Sequence, residues 1–219
     1  MATGKFITFE GGEGSGKSTQ AQLLADRLRG RGSDVVLTRE PGGSPFAEQV
    51  RALILDSATA PHSTLSEALL FYAARSDHLD TTIRPALAAG RWVICDRFSD
   101  STRVYQGVAG GLEPAVLDRL EGMIVAPTRP DLTLILDLPA DIGLARASNR
   151  RMANAVVDMQ PDAYEKRELA YHERLRAGYA TIAQVEAQRC VLVDGARVQD
   201  AVAAEIWAHV ERRLVRGGG

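Results

Sequence analysis

Residues 11–18, Gly-Gly-Glu-Gly-Ser-Gly-Lys-Ser, fit the pattern Gly-x-x-x-x-Gly-Lys-Ser/Thr that is typical of loops binding nucleotide phosphates. The backbone N–H groups of such a loop surround a polyphosphate, and the N-terminus of the following helix adds favourable potential. In this pattern the side chain of Lys17 binds the outer phosphates and the hydroxyl of Ser18 binds Mg²⁺. The motif predicts a bound nucleoside triphosphate, held by Gly11, Gly12, Glu13, Gly14, Ser15, Gly16, Lys17, Ser18 and Thr19.

The residues on either side of this loop are those that a phosphate-binding loop requires. Residues 5–10 alternate and are rich in β-formers, which predicts a strand. Residues 18–28 carry apolar side chains at helical spacing, which predicts a helix. A chance match in a glycine-rich turn is therefore disfavoured, because strand, loop and helix occur in the expected order.

Charged residues follow several predicted strands and could surround a second, phosphate-bearing ligand. The carboxyl ends of parallel strands meet at one edge of a sheet, where ligands bind. Glu10, Arg39, Glu40, the pair Asp96-Arg97 and Asp137 all map to that edge. Phosphoryl transfer depends on positioning and charge neutralisation, which arginines supply. The candidate arginines are Arg39, Arg75, Arg97, Arg146, Arg150 and Arg151.

Three classes of protein share this phosphate loop: GTPase switches, motor-like ATPases and small-molecule kinases. The guanine-binding pattern Asn-Lys-x-Asp of a GTPase does not occur in the chain. A motor would need further domains or an assembly arm, for which 219 residues leave no room. A kinase needs an acceptor pocket and a lid that excludes water, since water would otherwise compete as acceptor. The arrangement of arginines favours the kinase.

The elements that position these residues alternate between strand and helix. This order predicts an α/β fold with a five-stranded parallel sheet and helices on both faces. The predicted strands are 5–10, 34–38, 92–96, 132–138 and 190–194. The predicted helices are 17–31, 44–55, 64–89, 114–125, 141–147, 161–187 and 199–213, with a capping box at residues 64–67 and a possible kink near Pro85. Residues 99–111 are predicted to form a loop with a possible helical start, and 149–160 a mobile segment.

Length and composition indicate one domain, residues 1–219, with an ordinary core. The net charge of −2 gives no basic field for nucleic acid or a membrane surface. Cys95 and Cys190 lie in apolar strand-like runs without metal-ligand spacing, which favours reduced thiols and a cytoplasmic setting. No signal peptide or membrane-spanning run is expected.

Five ordered motifs resemble the thymidylate kinase family. They are FEGxEGxGKS at 9–18, REPGG at 39–43, LFxAxR at 70–75, DRF at 96–98 and YQG at 105–107. The similarity extends from residue 5 to about residue 213. It implies the fold of P-loop nucleoside monophosphate kinases with a small lid. It also implies ATP-dependent phosphorylation of dTMP to dTDP, a step towards dTTP, with Mg²⁺ and in a cytoplasmic homodimer.

At the phosphates, the resemblance implies that Glu13 contacts the acceptor sugar and helps to organise Mg²⁺ and the transferred phosphate. Asp96, with Ser18, is implied at the metal, and Arg97 between the acceptor and donor phosphates. Arg39 is implied at the dTMP phosphate, where a planar guanidinium suits bidentate binding. Pro41 and Arg51 are candidates to assist there. For each charged residue a solvated or purely structural role is the alternative, and Glu10 could orient the loop.

At the base and sugar, the resemblance implies that thymine stacks on Phe71 and that Arg75 donates to a carbonyl oxygen. The two residues lie four apart, on one helix face, although spacing alone would favour a core role for Phe71. The residues implied at the thymine edge and deoxyribose are Ser101, Thr102, Tyr105 and Gln106. Tyr105 is implied as the wall against a 2′-hydroxyl.

The lid is predicted at residues 149–161. Bacterial members of the family without an arginine in the phosphate loop place catalytic arginines in the lid, and this loop has Ser15 instead. Arg150 is the best match, with Arg146 and Arg151 as alternatives, while Ala163 stands where an arginine is frequent. The rival functions are a kinase for another pyrimidine or deoxynucleoside monophosphate, or a regulatory nucleotide-binding protein without an acceptor.

Overall fold

The computed structural model describes residues 4–56, 62–153, 164 and 167–216. Within them, five parallel strands form one sheet in the order β2-β3-β1-β4-β5. The strands are β1 Phe6–Gly11, β2 Val35–Arg39, β3 Trp92–Asp96, β4 Leu132–Asp137 and β5 Cys190–Asp194. These bounds confirm the five predicted strands to within one residue.

Strand β1 is central and pairs with β3 on one side and β4 on the other, with Phe9 opposite Asp96 and Gly11 opposite Leu136. The chain leaves β1 for the β2–β3 side and later returns to the β4–β5 side, so the order reverses at β1. Ligands of open α/β sheets bind beyond the carboxyl ends of the strands at such a reversal. The phosphate loop follows β1 directly and therefore lies at this point.

Nine α-helices and three π-helical segments are present in the described ranges. The helices are α1 Lys17–Gly30, α2 Pro45–Leu55, α3 Thr64–His78, α4 Arg84–Ala88, α5 Ser99–Thr102, α6 Pro114–Ile124, α7 Ala140–Ala153, α8 Leu169–Val185 and α9 Gln199–Val210. The π-helical segments are π1 Leu79–Ile83, π2 Arg103–Ala109 and π3 Glu211–Val215. None of these helices combines the length and apolar character that crossing a membrane requires.

Both faces of the sheet are covered, as predicted. On one face Ile7 and Phe9 of β1 pack with Leu24 of α1 and with Ile206 and Trp207 of α9. On the other face, one cluster joins strand residues to α3 and α6, and a second joins α2, α3 and α8 to β4 and β5. Every position of β1 is buried, including the polar Thr8 and Glu10, because both faces of the central strand are covered.

Four predictions about helices are corrected. Residues 99–109 are helical throughout, because Val104 and Tyr105 of π2 are buried against α8 and this packing outweighs the neighbouring glycines. The segment 64–89 is interrupted by π1 just before Pro85, which lacks the N–H of a regular helix. Residues 149–153 continue α7 instead of forming a mobile segment, and α8 begins at Leu169. The rest of the predicted lid, residues 154–161, lies outside the described residues, as does Ala163.

The predicted capping box is also corrected. The cap of α3 is Ser63, one residue earlier than predicted, and its side chain accepts from the N–H of Ser66. Glu67 does not reach back to the cap; its carboxylate instead accepts from Gln106 and Tyr164. By contrast, the side chain of Ser44 caps α2, accepting from the N–H of Ala47.

Candidate active site

A cavity of about 370 Å³ opens at the carboxyl edge of the sheet. It is lined by the phosphate loop, by residues of α3, α5 and π2, and by Arg150 of α7 and Tyr164. Every residue predicted to bind nucleotide or substrate lines this cavity except Gly11 and Gly12 of the loop. The sequence therefore located the surrounding side chains, while their individual roles stay predictions.

The loop backbone takes a course that only glycine accommodates at Gly14. This residue has φ +65°, and a Cβ there would lie 2.0 Å from the carbonyl oxygen of Gly143. Gly16, with φ +93°, occupies the N-cap of α1 and turns the chain into the helix. The N-terminus of α1 is thus directed at the concave side of the loop, where its dipole favours an anion.

Lys17 is buried in the loop. Its Nζ donates to the carbonyl oxygen of Gly12 at 2.7 Å and to Oγ of Ser15 at 3.3 Å. Burial and the nearby positive charge of Arg97 lower the pKa of Lys17 to about 8. A phosphate beside Nζ would stabilise the charged ammonium and raise this pKa again. The ammonium and a phosphate bound next to it would therefore stabilise each other.

Ser18 and Asp96 bring a hydroxyl and a carboxylate together beside the loop. The Ser18 hydroxyl donates to Oδ2 of Asp96, across 78 residues of sequence. Oxygen ligands of this kind suit Mg²⁺, which usually takes few protein ligands and keeps waters and phosphate oxygens. The described residues contain no group of three or more acidic, histidine or cysteine side chains that could hold a metal. The pair therefore fits a metal held mainly by a nucleotide.

Glu13 projects from the loop towards Tyr105 of π2. Its Oε1 accepts from Nη2 of Arg97 at 2.7 Å and from the hydroxyl of Tyr105 at 2.9 Å. Burial alone would raise the pKa of Glu13, but the charges of Arg97 and Lys17 outweigh it and lower the pKa to about 2. Glu13 is accordingly ionised at any pH at which the protein would work.

Arg97 has a left-handed backbone, with φ +68°, which costs a non-glycine residue about 1–2 kcal/mol. Its N–H donates to the carbonyl oxygen of Phe9 at 2.8 Å, and the next N–H, of Phe98, donates to Oε1 of Glu10 at 2.7 Å. Its Nη1 donates to the carbonyl oxygen of Gly11 at 3.0 Å and to the hydroxyl of Tyr179 at 3.3 Å. The guanidinium therefore lies beside the phosphate loop, close to Lys17 and Glu13.

Glu10 stabilises the backbone turn at Arg97 and Phe98 through hydrogen bonds. Besides the Phe98 N–H, its Oε2 accepts from the hydroxyls of Ser101, at 2.6 Å, and Tyr179, at 3.3 Å. Ser101 lines the cavity, and its hydroxyl donates to Glu10. Tyr179 had no sequence signal, because a tyrosine within an amphipathic helix is ordinarily a core residue.

A pH-dependent stability is expected from Glu10. Burial and the negative charge of Asp100 raise the pKa of Glu10 from 4.5 to about 7. Between these values the folded protein binds more protons at this site than the unfolded chain does. Stability contributed by the protonated carboxyl is therefore full below pH 4.5 and lost by about pH 7, a change of up to about 3 kcal/mol.

Urea unfolding of wild type and Glu10→Gln at pH 5 and pH 7.5 measures this effect. Glutamine keeps an acceptor for Phe98 and does not titrate, so the variant should lose less stability than wild type over this interval. Equal losses in the two proteins would contradict the raised pKa.

Arg75 of α3 is almost completely buried, with its side chain 1% exposed. Its Nε donates to Oε2 of Glu40 at 2.8 Å, and Nη2 donates to Oγ1 of Thr102 at 3.1 Å. Its Nη1 has no hydrogen-bond partner within the described part of the chain. A buried donor without an acceptor is costly, so this atom marks a place for an acceptor on a ligand.

Glu40 and His78 hold Arg75 in place and were not predicted as site residues. The second oxygen of Glu40 lies 3.0 Å from Nδ1 of His78, whose Nε2 lies 2.8 Å from Oγ1 of Thr38. Glu40 is buried at the carboxyl end of β2. The sequence shows that Glu40 lies between Arg39 and Pro41 at the end of a strand, which was the available signal. Its ion pair with Arg75 of α3 could not be predicted, because that pair depends on tertiary contacts.

Gln106 faces Arg75's side of the cavity from π2 and is likewise buried. Its Nε2 lies 3.2 Å from Oε2 of Glu67 and 3.4 Å from the hydroxyl of Tyr164. Its Oε1 accepts no hydrogen bond from any described residue. Together, Arg75 and Gln106 leave one buried donor and one buried acceptor unfilled at the same end of the cavity.

Arg39 and Arg51 flank the cavity near its β2 edge. Arg39 binds Glu48 in a bidentate pair, with Nη2 3.0 and 2.9 Å from the two carboxylate oxygens. This pair is about half exposed, so it contributes little and can exchange for a phosphate. Arg51 donates to the carbonyl oxygen of Pro41 at 2.8 Å. The side chains of both arginines line the cavity.

Phe71 is half-buried and lines the cavity one turn before Arg75, with its ring centroid 6.4 Å from that of Tyr164. Arg150 is exposed on α7 and lines the cavity from the lid side. Arg146, one turn earlier, donates instead to the carbonyl oxygen of Gly195 at 3.0 Å and does not line the cavity. Of the two, only Arg150 lines the cavity.

Comparisons with known proteins agree with one another. A family model described as thymidylate kinase matches residues 9–206. A thymidylate kinase of Caulobacter vibrioides is 51% identical over 214 residues, covering 98% of this chain and 99% of that protein. One of Nitrobacter winogradskyi is 50% identical over 212 residues, covering 97% and 90%. The crystal structure of a thymidylate kinase from Ehrlichia chaffeensis has a TM-score of 0.75 and 33% identity, covering 95% of this chain and 99% of that one.

Proposed function

This chain belongs to the thymidylate kinase family, and we propose that the γ-phosphoryl group of ATP passes to dTMP within the cavity at the carboxyl edge of its sheet. The reaction yields dTDP and ADP. One observation supports this placement of both substrates: the phosphate loop, Arg75 and Gln106 line the same cavity. Nη1 of Arg75 and Oε1 of Gln106 are buried and have no hydrogen-bond partner among the described residues. A triphosphate at one end and a pyrimidine at the other would fill it.

At the donor end, Lys17 and the N-terminus of α1 bind the outer phosphates. Lys17 is held within hydrogen-bond distance of the loop backbone, so little reorganisation is needed when charge develops on the transferring group. Ser18 and Asp96 would hold Mg²⁺, whose charge offsets that of the phosphates. The metal is part of this proposal and rests on the oxygen pair beside the loop.

At the base, the donor–acceptor pair matches thymine. Thymine offers the O4 acceptor next to the N3–H donor. Nη1 of Arg75 would donate to O4, and Oε1 of Gln106 would accept from N3–H, which satisfies two buried groups that the described residues leave open. Phe71 supplies the ring against which the base stacks.

Between base and loop, Tyr105 and Glu13 border the sugar. Their hydrogen bond of 2.9 Å fixes the Tyr105 hydroxyl, and the ring forms a wall where a ribose would carry its 2′-hydroxyl. Crowding of this kind discriminates by roughly a hundredfold or less. Arg39 and Arg51 would bind the acceptor phosphate, and Arg97 would lie between it and the donor.

Replacing Phe71 with alanine should weaken dTMP binding about tenfold, because stacking and the buried ring area are lost. ATP affinity should change little, since the ring lies at the opposite end of the cavity from the phosphate loop. Titration calorimetry with each nucleotide measures both constants. A similar loss for ATP and dTMP would show that Phe71 supports the fold rather than the base.

Arg150 is proposed as the lid arginine that clamps the transferring phosphoryl group, within a single kinase domain whose lid spans 149–161. Its side chain is exposed on α7 and lines the cavity. The phosphate loop has Ser15 and supplies no arginine of its own. Arg150→Ala should lower kcat about a hundredfold with little change in KM for dTMP.

The control for this variant is Arg146→Ala, one helical turn away and outside the cavity. It should keep nearly wild-type turnover in the same coupled ADP-release assay. A larger loss from Arg146→Ala or Arg151→Ala than from Arg150→Ala would assign the clamp to that arginine instead.

The proposed substrate is tested by a coupled ADP-release assay across dTMP, dUMP, UMP, CMP, AMP and GMP. dTMP should give the highest kcat/KM. A higher value for another monophosphate would favour a kinase for that nucleotide. Slow ATP hydrolysis that no monophosphate accelerates would favour a regulatory protein without an acceptor.

A homodimer is also proposed. Helices α2 and α3 pack on each other, as do α3 and α6, and together they expose apolar side chains. These are Phe46, Leu53, Leu65, Leu69 and Met123. A second copy of the chain would cover this face. Sedimentation should give twice the mass of one chain, and a monomer at micromolar concentration would refute the dimer.

A cytoplasmic location is proposed from the two cysteines. Cys95 and Cys190 are free and buried, and neither has a disulfide partner. Reduced core thiols suit a reducing compartment. Cell fractionation of a host expressing the tagged protein would test this, and recovery in a membrane or exported fraction would contradict it.

A further inference from the structure

Glu67 accepts two hydrogen bonds beside the proposed base site, although it takes no part in the cap of its own helix. Its Oε2 lies 3.2 Å from Nε2 of Gln106 and 3.2 Å from the hydroxyl of Tyr164. It lies in the first turn of α3, where a carboxylate usually serves only to stabilise the helix. Here it reaches across to π2.

The side-chain amide of Gln106 could face the cavity in either of two ways. With its oxygen towards the cavity it offers an acceptor; rotated by half a turn it offers two donors. The observed orientation places both N–H groups on acceptors, at 3.2 Å from Glu67 and 3.4 Å from Tyr164. The reversed orientation would place the amide oxygen beside a carboxylate, two acceptors in contact. The carboxylate of Glu67 can accept hydrogen bonds but cannot donate them, and it therefore opposes the reversal.

Tyr164 supports the same orientation. Burial, together with the negative charge of Glu67, raises the pKa of the Tyr164 hydroxyl, so it keeps its proton. The hydroxyl donates to Glu67 and accepts from the amide of Gln106. The three side chains form a directed network that ends on Oε1 of Gln106, the atom without a partner among the described residues.

We infer that Glu67 is a positioning residue for base specificity: by fixing the amide of Gln106 it presents an acceptor to the base and selects thymine or uracil over cytosine. This inference rests on the proposed function, in which the base lies against Arg75 and Gln106. Thymine and uracil carry a donor at N3, which matches Oε1. Cytosine carries an acceptor at N3 and a donor at N4, which mismatches both Gln106 and Arg75. A reversed Gln106 amide would remove one of the two mismatches.

Dissociation constants for dTMP, dUMP and dCMP, measured by calorimetry, test the inference on wild type and Glu67→Gln. Glutamine at 67 can donate, so Gln106 can reverse, and the preference for dTMP over dCMP should fall about tenfold. The affinity for dUMP should change in the same way as that for dTMP, because the two bases share the edge that Gln106 would contact. Loss of affinity for all three nucleotides alike would show a merely structural role and overturn the inference.

Three further variants complete the test. Glu67→Ala removes the acceptor without placing a donor, should also lose the preference, and serves if Glu67→Gln does not fold. Tyr164→Phe retains the carboxylate and should keep most of the preference. Glu48→Gln neutralises a carboxylate at the Arg39 end of the cavity and should alter all three affinities alike.

If the wild-type protein itself does not prefer dTMP, the proposed function fails. If it does prefer dTMP and both Glu67 variants keep that preference, only this inference fails.

Discussion

Replacing Lys17 with alanine is expected to lower kcat about a thousandfold, with dTMP binding largely retained. The side chain is buried in the phosphate loop, and its ammonium lies 2.7 Å from the loop carbonyl of Gly12. It is therefore fixed before charge builds up on the transferring phosphoryl group, which is where a preorganised cation has its greatest effect. Steady-state ADP release at saturating ATP and dTMP measures the loss.

A matched control for this variant is Lys5→Ala. Lys5 immediately precedes β1, at the opposite end of the same strand from the loop. Its removal should leave kcat near the wild-type value. Near-normal turnover of Lys17→Ala would overturn the mechanism, because no other lysine of the described residues lies in the cavity.

Replacing Arg97 is expected to have an effect of similar size, about a thousandfold in kcat. Its guanidinium contacts Glu13 and the carbonyl oxygen of Gly11, and we proposed that it lies between the acceptor and donor phosphates. Because its backbone is left-handed, two substitutions separate backbone from side chain. Arg97→Gly relieves the φ of +68°, whereas Arg97→Ala retains the strain.

Both variants should lose activity alike, while Arg97→Gly should be the more stable in urea unfolding. Arg91→Ala is the control, since Arg91 immediately precedes β3 and Arg97 follows its other end. Substantial activity in Arg97→Gly would show that the backbone turn, and not the guanidinium, matters for transfer.

The sheet and the place of the site followed from the sequence because they depend on local signals. The phosphate loop has a strict pattern, and the strand ends that carry Arg39, Asp96 and Arg97 converge once the sheet is parallel. Apolar runs bounded by glycine or charge identify buried strands to within a residue. Parallel pairing then brings residues that lie far apart in sequence to one edge.

The residues that hold the site in place could not be predicted in the same way. Glu40, His78 and Tyr179 act through buried contacts between elements, and nothing in their local sequence distinguishes such contacts from a surface or core role. Glu67 was misassigned for the same reason: its spacing satisfies a capping box, yet its carboxylate bonds to π2. Pattern alone also failed at 99–109, where packing against α8 supports a helix containing glycine.

We expect ATP turnover by this chain to be phosphoryl transfer to dTMP. Quantifying ADP and dTDP in the same reactions, with ATP and Mg²⁺, in the presence and absence of dTMP tests this expectation. One dTDP should form for each ADP, and ADP release without dTMP should be slow in comparison. Equal ADP release with and without dTMP, or ADP formed without dTDP, would contradict the account.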